Sequence, residues 1–115
     1  MTMPGTVEDV SDENYKDFVG ARAAVVAYGI ASCEPCIAYD PVLEETAARF
    51  ADVKIGKAKM HVPGRCREIK KAHTFETYPT THLFSKGTLV LTREGKLEAA
   101  ELAALINDHL LKGED

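Results

Sequence analysis

A continuous apolar run at residues 23–28, β-branched at Val25 and Val26, is followed directly by Cys33-Glu34-Pro35-Cys36. Tyr39, Val42, Leu43, Ala47 and Phe50 then recur at helical spacing. This stretch constrains the fold more than any other. An unbroken apolar run of that length is the pattern of a strand covered on both faces, which puts it at the centre of a sheet. The cysteine pair therefore stands where a buried strand turns into a helix. At a helix start, free backbone N–H groups and the helix dipole favour a thiolate on the first cysteine, and the second lies one turn on, within reach. Pro35 suits the first helical turn, where no N–H partner is needed. The same cysteine spacing also supplies half of many zinc sites. Here no second pair exists, and Cys66 with His61 or His73 would have to complete such a site. The context points to redox exchange and to no metal.

The rest of the chain reads as alternating elements. Residues 6–10 suit a short strand, and Ser11 is a candidate N-cap for a helix carrying Tyr15, Phe18 and Val19 on one face and ending at Gly20. Pro41 interrupts the long helix and should kink it. Val53, Ile55, Lys57 and Lys59 alternate in a strand ending near Met60, and Pro63 and Gly64 mark a turn. Residues 65–73 look helical, with Cys66, Ile69 and Ala72 on one side. Residues 80–84 and 89–92 form a hairpin around Ser85, Lys86, Gly87 and Thr88. From Glu98, the residues Leu102, Leu105, Ile106 and Leu110 make the stripe of an amphipathic helix ending near Gly113. The order β-α-β-α-β-α-β-β-α implies an α/β protein: three layers, α/β/α, around a central mixed sheet.

With 115 residues and no internal repeat or linker, residues 1–115 are expected to form a single domain. A net charge of -4 offers no footprint for nucleic acid or an anionic membrane. No apolar run approaches the roughly 20 residues that span a bilayer, and the N-terminus lacks a signal-peptide pattern. A cytoplasmic location follows as the default. The four histidines, His61, His73, His82 and His109, show no metal spacing and read as surface or partly buried residues. Cys66 lies near Arg65, Arg67 and Lys70, which would favour a reactive thiolate if it were exposed, but its spacing to Ile69 favours a small core residue.

From about residue 6 to 111, the chain resembles the thioredoxin family. The resemblance rests on Cys33-Glu34-Pro35-Cys36 after an apolar strand, Pro41 in the following helix, Lys57 on the next strand, Tyr78-Pro79-Thr80, and the glycines Gly87 and Gly95. It implies a thioredoxin-like fold and a thiol/disulfide oxidoreductase that reduces protein disulfides with no cofactor. By the resemblance, Cys33 attacks and Cys36 resolves; Pro79 is cis and lies against the pair; and Ser32, Glu34, Pro35, Tyr78, Pro79 and Gly95 border the substrate, with Lys57 in support. Partners would be disulfide-containing client proteins and a thiol electron donor such as a thioredoxin-reductase-like protein, the chain itself acting as a monomer.

The departures from the family matter equally. Gly29 and Ser32 stand where the family usually has tryptophans, and Ala27 replaces a buried aspartate that helps deprotonate the second cysteine, leaving Lys57 to find another acceptor or water. Glu34 puts a carboxylate beside the nucleophile, where it either opposes the thiolate or is screened by solvent. His73, Thr74, Phe75, Glu76 and Thr77 lie in a segment a few residues longer than usual, expected near the active site. Phe75 would either face substrate or anchor that loop. Two other functions remain open at this point: a redox-linked protein-binding module using the groove around Pro79, or a disulfide isomerase or oxidase-type domain.

Overall fold

A computed structural model describes residues 5–111. Met1 to Pro4, and the helix end expected near Gly113, lie outside these residues. The strands are β1 (Val7–Val10), β2 (Ala24–Gly29), β3 (Lys54–Lys59), β4 (Thr80–Ser85) and β5 (Thr88–Glu94); the helices are α1 (Tyr15–Val19), α2 (Glu34–Arg49), α3 (Arg67–Ala72) and α4 (Ala99–Ile106), the last continued by a π-helical turn, Asn107–Leu111. They build one mixed sheet in the order β1-β3-β2-β4-β5. β1, β3 and β2 run parallel, whereas β4 is antiparallel to β2 and β5 to β4.

Every residue of β2 is buried, as its apolar run requires for the middle strand of a sheet covered on both faces. Strand pleating then divides the core in two. Val25 and Ala27 of β2, with Ile55 and Leu83, pack beneath Tyr39, Leu43 and Ala47 of α2 and Leu102 and Ile106 of α4. Ala24, Val26 and Tyr28, with Ala58 and Phe84, face Phe18 and Val19 of α1 and Ile69 of α3. The result is the three-layer α/β/α arrangement expected from the element order.

Three local expectations are corrected. The first helix begins later: Ser11 is not its cap, but donates its N–H to the side chain of Asn14 (2.8 Å), which precedes the helix. Cys66, at the N-cap of α3, and Ile69 are buried, but Ala72, the last residue of this six-residue helix, is exposed. The β4–β5 turn is only Lys86-Gly87, with φ of 52° and 88°, the left-handed pair that matches strand twist in a two-residue hairpin. Pro41 lies inside α2, which remains helical on both sides of it.

Candidate active site

The strand-to-helix junction places the cysteines by backbone alone. Cys33 is the N-cap of α2, with extended φ and ψ of -104° and 109°, and its sulfur accepts the N–H of Cys36 (3.1 Å). Glu34 and Pro35 are the first helical residues, where proline's missing N–H costs nothing. Cys33 and Cys36 are joined as a disulfide with Cα atoms 5.2 Å apart. Cys33 is half-buried while Cys36 is buried at 3% exposure, so one sulfur faces outward and the other the core. The approach from β2 is tight. A Cβ at Gly29 would stand 3.2 Å from the Cys36 sulfur, tighter than an ordinary van der Waals contact.

The Tyr78–Pro79 bond is cis, as the resemblance implied. The Tyr78 carbonyl oxygen lies 3.5 Å from the Cys33 sulfur, while Pro79 itself is buried against Cys36 and Lys57. Gly95, at φ 90°, donates its N–H to the Pro79 carbonyl (2.7 Å), so the end of β5 is fastened to the same segment. Ser32, Glu34 and Pro35 are exposed around Cys33. The structure thus gathers the sequence-derived residues at one end of the sheet; Gly87 is the exception, at the hairpin tip beside Gly20.

Lys57 has found its acceptor. Its ammonium lies 2.7 Å from Asp40 Oδ1, and both residues line a small cavity of about 10 Å³ with Ala27, Cys36 and Pro79. Asp40 was missed in the sequence, although one signal existed: it stands four residues after Cys36, the spacing that puts two side chains on one helix face. Tyr39, the next residue back, hydrogen-bonds Thr81 (2.8 Å) and ties α2 to β4; burial pushes its phenol up to about 12.

The long segment before Pro79 is anchored in the second core. The Phe75 ring is partly buried, its centroid 4.5 Å from that of Tyr28 and stacked 6.1 Å from that of Tyr78, so it anchors the loop against the second core. A hydrogen-bond chain runs from His73 Nε2 to Tyr15 Oη, on to Tyr28 Oη and then to His82 Nδ1, with links of 3.1, 3.0 and 3.1 Å. His82 is therefore not a surface residue but is buried at 4% exposure, because its position on β4 points into this core. Burial, and secondarily the charge of His73, lowers it to about 4. Burial also raises Tyr28 and lowers His73.

Cys66 is a core residue with its sulfur 3.7 Å from the Lys59 carbonyl. Burial and then Asp12 push its thiol up, which outweighs Arg65 and Lys70. It is no reactive thiolate. Among the described residues, no group of three His, Cys, Asp or Glu side chains could hold a metal ion, and no helix is long and apolar enough to cross a membrane.

A half-buried sulfur at a helix N-terminus, bonded to a deeper partner one turn on, defines a thiol/disulfide oxidoreductase. The chain belongs to the thioredoxin family, whose model, described as Thioredoxin, matches residues 6–108. It is 32% identical over 105 residues to the thioredoxin of Chlamydia pneumoniae, covering 90% of this chain and 98% of that one. Among solved structures, a single-site mutant of the thioredoxin of Halobacterium salinarum NRC-1 superposes with a TM-score of 0.83 at 20% identity, covering 96% of each chain. A thioredoxin f2 solved in complex with ferredoxin:thioredoxin reductase gives 0.80 at 17% identity, covering 93% of this chain and 97% of that one.

Proposed function

We propose that Cys33 is the attacking thiol and Cys36 the resolving thiol of a protein-disulfide reductase. The observation that carries this is the asymmetry of the pair: Cys33 is half-buried at the helix start, and Cys36 is buried beneath it. In the reduced protein the Cys33 thiolate attacks a client disulfide, forming a mixed disulfide and releasing one client thiol. Cys36 then attacks Cys33, closing the Cys33–Cys36 bond and releasing the second. Ser32, Glu34, Pro35, Tyr78, Pro79 and Gly95 border the client strand; the position of the Tyr78 carbonyl beside Cys33 supports this reading. Lys57 acts in support, through the cavity it shares with Cys36.

The electron donor in this reading is a thiol protein of the thioredoxin-reductase type; the ferredoxin:thioredoxin reductase complex of a similar fold supports it. The whole chain works as one domain and as a monomer. In support, few large apolar side chains are exposed among the described residues: Ile37, Leu89 and Val90. The free thiol of Cys66 suits the reducing cytoplasm.

The test is iodoacetamide labelling of the reduced protein with peptide mapping, alongside insulin reduction. Cys33 should label first, and Cys36→Ser should slow turnover while accumulating mixed disulfide. Equal labelling of both thiols would refute the assigned roles. A reduction potential near the thioredoxin value of about -270 mV would support a reductase, whereas about -120 to -180 mV would mark an oxidase or isomerase instead.

A further inference from the structure

Resolution requires Cys36 to lose a proton, because only the thiolate attacks. Cys36 is buried, so a basic group held beside it within the protein is well placed to take that proton. Cys36 lines two cavities: a larger one shared with Lys57, Lys59 and the exposed His61, and a small one shared with Ala27, Tyr39, Asp40, Lys57 and Pro79, whose single carboxylate is Asp40. At about 10 Å³, the small cavity is close to the least space that holds one water molecule. Asp40 lies one helical turn beyond Cys36, on the same face of α2. Its Oδ1 is held by Lys57 at 2.7 Å, which fixes the carboxylate and leaves the second oxygen available. Its side chain is 38% exposed, so a proton taken up there can pass on to solvent.

We propose that Asp40 accepts the Cys36 proton during resolution, with Lys57 as the residue that positions it. This rests on the reading of Cys36 as the resolving thiol. The step balances as follows: the Cys36 Sγ–H proton passes to the Asp40 carboxylate, directly or through one water, and the Cys36 sulfur attacks Cys33 Sγ. The Cys33–Cys36 bond forms as the bond from Cys33 to the client sulfur breaks, and the client leaves as a thiolate. The proton then leaves Asp40 for solvent or for that thiolate.

Stopped-flow oxidation of the reduced full chain by 4,4'-dithiodipyridine, a neutral disulfide with a chromogenic thione product, separates the two steps. The first thione reports attack by Cys33, the second resolution by Cys36. In Asp40→Asn the first phase should keep its rate, while the second slows roughly tenfold at pH 7, below the usual range for a general base because the carboxylate is partly solvated. The deficit should close above about pH 9, where thiols ionise unaided. Asp40→Glu should restore much of the rate. A second phase that is unchanged in Asp40→Asn, or slowed equally at every pH and not rescued by Glu, would overturn the proposal while leaving the roles of the cysteines intact. A wild-type chain that released no second thione would overturn both.

Discussion

Glu34 occupies the first helical position after Cys33 and is exposed. The two effects of its carboxylate oppose each other: it favours the helix N-terminus, and it disfavours a thiolate on the adjacent residue. Solvent screening limits both, since a surface charge at a helix end is worth about 0.3 to 1 kcal/mol. Replacing Glu34 with Gln removes the charge and keeps the shape. The Cys33 thiolate should be stabilised, the reduced form favoured, and the couple made less reducing by about 20 mV or less, at about 30 mV per 1.4 kcal/mol. A glutathione redox titration of both proteins measures this; a shift towards a more reducing couple would show that the carboxylate does not act on the sulfur. Gly56 is a sharper residue. An added Cβ would stand 2.5 Å from Val10 Cγ2 and 2.7 Å from the Phe18 ring, both in the packed second core. Gly56→Ala should cost about 1 to 3 kcal/mol in urea denaturation, as overpacking does, and a neutral result would mean that α1 yields easily.

At the scale of elements, α3 depends on a residue far away in sequence. Its N-cap residue, Cys66, makes no side-chain capping hydrogen bond, and Asp12 from the β1–α1 connection accepts the N–H groups of Glu68 (3.1 Å) and Ile69 (3.2 Å) instead. Asp12→Ala should therefore destabilise the protein by about 1 kcal/mol and loosen α3 first. Hydrogen exchange would show faster amides at Glu68 and Ile69 than in β2; uniform protection throughout would refute the cap. This pairing also marks the limit of what sequence discloses. The central strand, the helix after the cysteines and the terminal hairpin were legible because each follows from its own apolar period or turn residues. The cap on α3, the Lys57–Asp40 pair and the burial of His82 join residues distant in the chain, and no local pattern encodes which partners meet. Ser11 misled for the same reason: it has a capping side chain, but the fold starts the helix after Asn14. At the site, the cysteines and the Tyr78–Pro79 segment were recognisable, whereas Asp40 gained its meaning only once α2 packed over β3.

Across the whole molecule, the two layers of helices do different work. The α2–α4 side holds the cysteine pair and its ion pair, while the opposite side contains a hydrogen-bonded set, the buried Tyr28 and His82 with the half-buried Tyr15 and His73, behind the loop that carries Tyr78 and Pro79. The His73 and His82 rings are 4.8 Å apart, and Phe75 lies between this set and Tyr78. Acid should therefore act on global stability through the histidines. His82 is lowered from 6.5 to about 4 in the folded protein. Between those values the unfolded chain binds a proton that the folded one does not, so stability must fall as pH drops from about 6.5 towards 4. At 1.36 kcal/mol per pH unit, the loss is on the order of 3 kcal/mol by pH 4, and His73, lowered by burial, adds in the same direction. Urea denaturation at pH 7, 5.5 and 4.5 would measure it. His82→Phe keeps an aromatic ring in the cluster but removes the titrating group, so its stability should change less over that range than the wild type's. If both proteins lose the same stability between pH 7 and 4.5, His82 is not the group that couples this core to acid.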